Sequence, residues 1–433
     1  MKYSLGNILL NCIAILFVLS PIVFILGPAS VNIMNTFIPI LIIIYFFYKK
    51  NIYDFSNIYL IIFLIWSFYL ILVSILSNNY ILSLEATLFH FRFAFLVLGI
   101  YILLRKKNIY LKYFTYFLNF IFIFLIFDAF IQFIFGINIF GLSLEDDRRL
   151  SGVFGEEYIL GSYLARFMPM LIGLNIYLNN PSKKLNYYNL FLILIVIITI
   201  FISGERTAFF FAILTLFFSF ILIDSLRKEL IASSLISIIL IIFVSFYNQG
   251  PKTRIFNETI ASMQLFKYDI NDNITSINSF SLNDDKGIVI FSKQHENHYK
   301  SALKMFTNNY LIGVGPKNFR IECQKIKYFV EEGCSTHPHN TYVQLLSETG
   351  IIGFTFIFVI FLFVVKNILF LLIKKCENIK RKEVKACFMI TFLISLWPIA
   401  PSGSFFSSFI FTIYILPLGI YLHILENLDE KKY

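Results

Sequence analysis

A succession of long apolar runs constrains the fold of this chain more than any other feature of its sequence. Of the 433 residues, 58% are hydrophobic and only 14% are charged, whereas an average soluble domain carries about 25% charged residues. A soluble globule of this size could not remove so much apolar surface from water. The composition therefore argues against a soluble enzyme, a disordered chain and a small disulfide scaffold, and it predicts an all-α polytopic membrane protein.

Twelve apolar runs bounded by polar residues are candidate transmembrane helices, because about 20 apolar residues in a helix cross the hydrocarbon core of a bilayer. They fall at 8–27, 30–48, 57–77, 84–104, 113–136, 157–178, 187–202, 206–223, 230–247, 349–373, 386–400 and 405–424. The chain then divides into spans 1–9 within residues 1–247, a long polar loop at 248–340, and spans 10–12 within residues 341–433.

The distribution of lysine and arginine predicts the orientation of these spans. The loops after spans 2, 4, 6, 8 and 10 hold sixteen such residues, whereas the short loops of the other set hold only Arg148 and Arg149. Because cytoplasmic loops carry the excess of these residues, both termini are predicted to be cytoplasmic. The net charge of +10 then reflects topology, and no basic groove interleaved with aromatic residues indicates a nucleic-acid partner.

The loop at 248–340 is predicted to lie on the outer face of the membrane. Its 11 Lys/Arg and 9 Asp/Glu nearly balance, and long loops are translocated regardless of charge. Its flanks, 255–267 and 299–306, space apolar residues at helical intervals, so the loop is predicted to be partly helical, with a flexible insert at 269–287. Cys323 and Cys334 both lie in it, and in an oxidising compartment they could form a disulfide; two unpaired thiols are the alternative.

Charged residues also lie inside the predicted spans. Arg92, Asp128 and Arg166 each stand about eight residues from the outer end of a span, or roughly 12 Å below the outer surface. Such residues are costly in a membrane and usually mark function, and a guanidinium matches phosphate oxygens. The pattern favours a polar cavity that opens outward and holds an anion. The alternative is structural: Asp128 and Glu85 neutralise Arg92 and Arg166 between helices.

A histidine motif precedes span 10. It reads His337-Pro338-His339-Asn340, and Asn340 or Thr341 is expected to cap the helix that enters the membrane, Thr341 together with Gln344 as a capping box. The positive end of that helix dipole favours an anion and disfavours imidazolium, which would leave His339 a neutral base near pH 7. The alternatives are a histidine with purely local hydrogen bonds and a metal site, for which no third ligand is evident.

These motifs resemble the O-antigen ligase and polymerase superfamily of bacterial envelope glycan assembly. Its ligases share a pattern of His, Asn, nine residues and Gly-x-x-Gly, which His339, Asn340, Gly350 and Gly353 match residue for residue. Further segments resemble other parts of the family, so the resemblance covers roughly residues 128–360. These segments are Arg148/Arg149 to Phe154, Ser203 to Ala208 with Arg206 at the outer mouth of span 8, and Leu311 to Phe319.

Two departures from the family pattern concern the site. Phe210 stands where the ligase pattern has leucine, and His295 and His298 stand where family members often carry an arginine before the aromatic residue of the loop helix. Arg254 or Arg320 could substitute for that loop arginine.

The resemblance implies a metal-independent glycosyltransferase of the bacterial inner membrane, with the long loop in the periplasm and no cofactor. The donor is a glycan on a polyprenyl diphosphate carrier. The acceptor is lipid A-core in an O-antigen ligase, which the matched pattern favours, or a second lipid-linked repeat unit in a polymerase. A transporter of lipid-linked glycans is the alternative from another class, although no half-to-half similarity is visible. An enzyme that transfers glycan to a protein acceptor is a further alternative.

Under this resemblance, each candidate site residue has an expected role. His339 takes the proton of the acceptor hydroxyl, and Arg206 holds the charge of the departing diphosphate. The remaining candidates are expected to bind the substrates: Arg92, Asp128, Arg149, Arg166, His337 and Asn340.

Overall fold

The structure is a computed structural model of the chain, and it describes residues 5–49, 58–146, 148–179, 182–262, 292–373 and 378–430. Those residues form helices and turns, with isolated bridges between 137 and 143 and between 146 and 149 and no extended strand. Seven of the described helices are long and apolar enough to cross a membrane. An all-α membrane protein is thereby confirmed, while the number of twelve spans and the side on which the loop lies stay predictions.

Eighteen α-helices follow one another in the described part of the chain. They are α1 (Leu5–Val18), α2 (Ser20–Ile25), α3 (Pro28–Lys49), α4 (Ile58–Ile75), α5 (Tyr80–Thr87), α6 (Arg92–Lys106), α7 (Ile109–Phe135), α8 (Leu160–Leu178), α9 (Lys183–Ile202), α10 (Arg206–Leu222), α11 (Arg227–Tyr247), α12 (Gln249–Lys252), α13 (Glu258–Ser262), α14 (Lys293–Asn308), α15 (Phe319–Glu322), α16 (Thr341–Ile373), α17 (Ile379–Ser395) and α18 (Ser408–Glu430).

Two of the twelve apolar runs are broken helices. The run at 8–27 consists of α1 and α2, and Pro21 lies in the first turn of α2, where its missing N–H costs no hydrogen bond. The run at 84–104 consists of α5 and α6, separated by a turn that buries His90 between the rings of Phe63 and Phe411. The second break places Arg92 at the first position of α6, where its side chain reaches polar groups of neighbouring helices.

Helix α8 is the centre of the bundle. From Leu160 to Ile176 every residue except Ser162 is buried, and α7, α9, α10 and α17 pack around it. At Gly173 the neighbouring helix comes so close that an added Cβ would lie 2.7 Å from the Cβ of Cys387, an approach that only a small residue allows. Helix α11 lies at the periphery, with most of its surface exposed outside the bundle.

Helix α16 is interrupted at Gly350, whose φ of 64° and ψ of −168° are not helical. The break is satisfied from outside the helix, because the Ile351 amide donates to the Tyr310 carbonyl at 2.8 Å and the Tyr69 hydroxyl donates to the Thr349 carbonyl at 2.6 Å. A Cβ on Gly350 would lie 2.2 Å from the Leu311 carbonyl oxygen. The break therefore sets the segment 341–349 apart from the apolar helix that follows.

The described part of the loop 248–340 packs on this segment. Val314 and Gly315 donate to the Ser347 and Glu348 carbonyls, both at 2.9 Å, and Cys323 and Cys334 form a disulfide. A small apolar core, separate from the main one, stabilises the loop. The predicted helix at 299–306 lies within α14, whereas the one at 255–267 is divided among short helical turns and its last residues, like the insert at 269–287, lie outside the described residues.

The break at Gly350 gives a prediction for stability. Gly350→Ala forces alanine into a left-handed conformation, which costs about 1–2 kcal/mol, and drives its Cβ into the Leu311 carbonyl. Gly27→Ala is the matched control, because Gly27 has φ of 93° and nothing within 4 Å of an added Cβ. The Gly350 variant is expected to lose about 1–3 kcal/mol more than the control, measured by thermal unfolding in detergent. Equal losses would mean that the contact with Leu311 does not hold the break.

The predicted orientation is tested by labelling single cysteines in cells. In a chain whose Cys12, Cys376 and Cys387 are replaced by alanine, Lys304→Cys on α14 is expected to react with a membrane-impermeant maleimide, and Lys184→Cys at the start of α9 only after the inner membrane is permeabilised. Both lysines are exposed, so the membrane alone distinguishes them. The reverse order of reactivity would overturn the orientation derived from the lysine and arginine distribution.

Candidate active site

Four histidines of the loop 248–340 form one group. His295 and His298 come from α14, and His337 and His339 come from the segment before α16. The ring centre of His339 lies 4.1 Å from that of His337, 5.4 Å from that of His298 and 5.6 Å from that of His295. His339 is therefore the centre of this histidine group, and the two histidines that replace the expected loop arginine are its neighbours.

The backbone around His339 fixes the position of its ring. His339 has φ of 56°, a left-handed conformation uncommon for non-glycine residues, and its carbonyl accepts from the Ser402 amide at 2.9 Å. Asn340 caps α16, since its Oδ1 accepts from the amides of Tyr342 at 2.9 Å and Val343 at 3.0 Å, while its Nδ2 donates to the Pro398 carbonyl at 2.7 Å. Asn340 thus positions His339, and its amide group is engaged by backbone atoms.

The alternative capping box of Thr341 and Gln344 does not form. The hydroxyl of Thr341 lies 2.9 Å from that of Ser402, and the Gln344 amide donates to the Glu348 carboxylate at 2.9 Å. Both side chains contact the segment before α18, through Ser402 and Ser404. The cap of α16 is supplied by Asn340 instead.

The environment of the histidine group favours neutral imidazoles. Burial lowers the pKa of His339, and its neighbour His298 lowers it further. Burial, followed by the neighbouring His339, lowers the pKa of His295 to about 4 and that of His337 to about 4. A neutral imidazole nitrogen can accept a proton at pH 7, so the ring of His339 has the protonation state that a general base needs.

Four arginines form a second group, the arginine group: Arg148, Arg149, Arg206 and Arg254. Glu258 binds two of them, Arg148 at 2.8 Å and Arg254. The Nη1 of Arg206 donates to the Ser262 hydroxyl at 3.1 Å, and the guanidinium of Arg149 lies 4.1 Å from the ring centre of Tyr158. Among the described residues neither Arg149 nor Arg206 forms an ion pair, so this group carries excess positive charge.

Electrostatics link the two groups. The positive charge of Arg206 is one of the causes that lower the pKa of His295, and the ring centre of His295 lies 5.6 Å from that of His339. An anion bound by Arg206 would therefore lie close to the bases around His339. This proximity joins the two residues to which the sequence assigned the chemistry.

Gly204 brings two of the sequence motifs together. It has φ of 66°, and a Cβ there would lie 2.0 Å from the Arg148 carbonyl oxygen, while the Leu150 amide donates to the Ser203 carbonyl at 3.2 Å. The segment that carries Arg148 and Arg149 thus packs directly against the turn that precedes Arg206. No pattern in the sequence predicts this contact, although both motifs were identified.

Glu205 forms no ion pair with the arginines of this group in the described part of the chain. Its carboxylate accepts from the Gly161 amide at 2.5 Å, and from the Ser162 amide and hydroxyl at 3.1 and 2.6 Å. It therefore caps the N-terminus of α8. Because this acid is used for capping, Arg206 keeps its charge available for a ligand.

The charges inside the predicted spans separate into different environments. Asp128 is fully buried, and it accepts from the Ile139 amide at 3.0 Å, so it fastens the turn after α7. It forms an ion pair with neither Arg92 nor Arg166, and Glu85 is exposed. The structural alternative, in which these carboxylates neutralise the two arginines, is therefore wrong for Asp128.

Arg92 and Arg166 have contrasting partners. Arg92 donates to Ser408 at 2.7 Å and to Asn32 at 3.0 Å, both neutral. Arg166 is only 7% exposed, and its guanidinium lies 5.0 and 5.7 Å from the ring centres of Phe211 and Tyr414. Its Nη1 is buried without a hydrogen-bond partner, and no carboxylate within the described residues pairs with it. Arg166 is therefore a buried cation without a counterion in that part of the chain.

A metal centre finds no support in the described ranges, where no group of three histidine, cysteine, aspartate or glutamate side chains is arranged to hold an ion. The candidate site thus combines a cluster of histidines, in which burial lowers the pKa of His295, His337 and His339, with arginines that lack ion-pair partners among the described residues. Such an arrangement can move a proton and bind an anion.

Comparison with protein families gives one match. The model of the O-antigen ligase family matches residues 191–359, about two-fifths of the chain, which include Arg206, α14 and the motif from His339 to Gly353. The resemblance to the O-antigen ligase and polymerase superfamily is thereby confirmed. The comparison with curated proteins gives no match.

The family match and the apolar helices together indicate an integral inner-membrane protein of lipopolysaccharide biosynthesis. They support an enzyme of the O-antigen ligase or polymerase type, which acts on lipid-linked glycans.

Proposed function

We propose that this protein is a glycosyltransferase of the O-antigen ligase type, which transfers a glycan from a polyprenyl diphosphate carrier to lipid A-core on the periplasmic side of the inner membrane. The observation that carries the proposal is that His339, whose pKa burial lowers, lies 5.6 Å between ring centres from His295, on which the charge of Arg206 acts. Arg206 has no ion-pair partner among the described residues. His339 can remove a proton from an acceptor hydroxyl, and Arg206 can hold a departing phosphate.

An apolar groove beside Arg206 supports a lipid-linked donor. The groove lies between α10 and α11, has a volume of about 450 Å³ and begins at Phe209, one turn of helix beyond Arg206. Its wall is apolar except for Ser245 and Lys252, and Lys252 directly precedes the segment that carries Arg254. A polyprenyl chain in this groove would place its diphosphate at the arginine group.

The reaction follows from these positions. The acceptor oxygen attacks the anomeric carbon of the donor glycan, its proton passes to His339, and the bond between that carbon and the diphosphate oxygen breaks with its electrons remaining on the oxygen. Arg206, Arg149 and Arg254 would stabilise the negative charge that the diphosphate gains. Donor and acceptor become product and free carrier diphosphate, so no cofactor is needed to balance the reaction.

The acceptor is expected to bind on the other side of His339. His337, which lies 4.1 Å away, would orient the sugar, and Arg92 and Arg166 would bind acidic groups of the acceptor. A lipid A-core acceptor is favoured because the matched pattern from His339 to Gly353 is that of the ligases. A polymerase would use the same donor site and the same base with a second lipid-linked unit, and a transporter would need neither the histidine group nor a general base.

The proposal is tested first on the lipopolysaccharide of a strain that lacks the gene. Bare core, with long glycan accumulating on the polyprenyl carrier, is the expected result. A core that carries a single repeat unit would identify a polymerase instead. An unchanged ladder would contradict both activities on this glycan.

The roles of the two principal residues are tested by complementation of that strain. His339→Gln is expected to reduce transfer by about 10²–10⁴-fold and Arg206→Gln by about 10²–10³-fold, with protein levels unchanged on a membrane immunoblot. Arg227→Gln is the matched control, because Arg227 is exposed and already paired with Asp224. Restoration of the ladder by both site variants would overturn the assigned roles.

The pH dependence of transfer gives an independent test. Burial and His298 hold the pKa of His339 below its ordinary value of 6.5, so the imidazole stays neutral as the pH is lowered to 6.5. We therefore expect kcat/KM to be constant down to pH 6.5 and to fall only at lower pH. His298→Gln removes one cause of the shift, so the acidic fall is expected to move to higher pH. A profile unchanged by His298→Gln would show that the titrating group is not His339.

A further inference from the structure

Three lysines from two helix ends surround one cavity at the end of the bundle opposite the histidine group. Lys49 is the last residue of α3, Lys106 is the last of α6, and Lys107 follows it. Together with Gly6 and Asn7 of α1 they line a cavity of about 390 Å³, which we name the basic pocket. Under the predicted topology these helix ends lie at the cytoplasmic surface.

The basic pocket holds no acid. Its lining contains no aspartate or glutamate, and within the described residues neither Lys49 nor Lys106 forms an ion pair. Lys107 donates to the neutral Asn11 side chain at 2.7 Å. The nearby Glu426 is bound by Arg105 at 3.3 Å, so it does not neutralise the pocket.

Helix dipoles and topology explain why lysines end these helices, but they do not explain an open cavity among three like charges. Gly6 keeps that cavity open, since a Cβ there would lie 3.1 Å from Cε of Lys49 and 3.4 Å from the Tyr45 ring. The pocket combines a cationic rim with an apolar floor, because Leu10 and Phe46 also line it and are buried.

We propose that the basic pocket binds the phosphate of an anionic phospholipid headgroup and thereby clamps α1 against α3 and α6. Lysine ammonium groups bind phosphate as compact point charges, and basic pockets between helices at the cytoplasmic surface are typical sites for acidic lipid headgroups. The apolar floor next to the rim suits a molecule that carries its phosphate beside acyl chains. A free phosphate shares the chemistry of the rim but gains nothing from that floor.

The test measures lipid binding to the full-length protein, so it does not depend on the proposed glycan transfer. Wild-type protein in phosphatidylcholine nanodiscs is titrated with phosphatidylglycerol, and its affinity is read from the rise in unfolding temperature. The double variant K49Q/K106Q is expected to bind roughly 30-fold more weakly, taking about 1 kcal/mol for each lysine. The matched control K183Q/K184Q removes two exposed charges from the same predicted face and is expected to bind within about twofold of wild type.

Equal affinities for all three proteins, or equal losses in both variants, would overturn the basic pocket as a binding site. Unfolding of each protein in pure phosphatidylcholine shows whether a variant is folded, and the phosphatidylglycerol that copurifies from cells is counted by mass spectrometry as a second measurement. Inorganic phosphate is titrated in parallel. Stabilisation by inorganic phosphate that equals that by phosphatidylglycerol and is lost in K49Q/K106Q would support the phosphate site but overturn the lipid as its ligand.

Discussion

The contact between the backbones of Gly350 and Leu311 determines how the loop 248–340 is joined to the apolar helices. It allows α16 to break without leaving polar groups unsatisfied, since Tyr310 and Tyr69 bind the groups that the break exposes. The segment 310–315 follows α14 directly, so the same contact fixes α14 beside the start of α16. His298 on one helix and His339 before the other meet only because of this packing. Gly350, the first of the two glycines of the sequence motif, is therefore a structural condition for the position of His339.

The distribution of the acidic side chains determines what the arginines can do. Glu205 caps α8 and Asp128 binds the turn after α7, so neither carboxylate forms an ion pair with an arginine. Glu258 binds Arg148 and Arg254, and Asp146 also binds Arg148. Arg206 therefore keeps an uncompensated charge in a preformed position, and donors that are already in place need no reorganisation when negative charge develops. The lining of the basic pocket, at the opposite end of the bundle, likewise contains no acidic side chain.

The class of fold and the place of the histidine motif before α16 could be predicted from the sequence because local rules govern both. An apolar run in hydrocarbon has a helix as its only stable form here, and His339 and Asn340 belong to a motif with fixed spacing. The inclusion of His295 and His298 in the site could not be predicted, since it depends on the packing of α14 against α16. The hydrogen-bond partners of the charged side chains could not be predicted either. A period of hydrophobic residues does not say which loop amide will face Asp128. No proline indicates the break between α5 and α6 before Arg92, whereas Pro21 lies at the break between α1 and α2.

The burial of Arg166 is the reason why a bound anion would stabilise this site. A buried charge loses several kcal/mol of solvation, while an aromatic face returns about 0.5–2 kcal/mol. The rings of Phe211 and Tyr414 therefore cannot compensate the burial of its guanidinium, and no carboxylate of the described residues does so. The Tyr414 hydroxyl lies 3.4 Å from that of Thr341, at the start of the helix that Asn340 caps beside His339. A phosphate at Arg166 would thus supply the missing counterion at the base of the same helix end that presents the histidine. Binding of an acidic acceptor there would then be favoured, because the anion would offset the desolvation cost of the buried guanidinium.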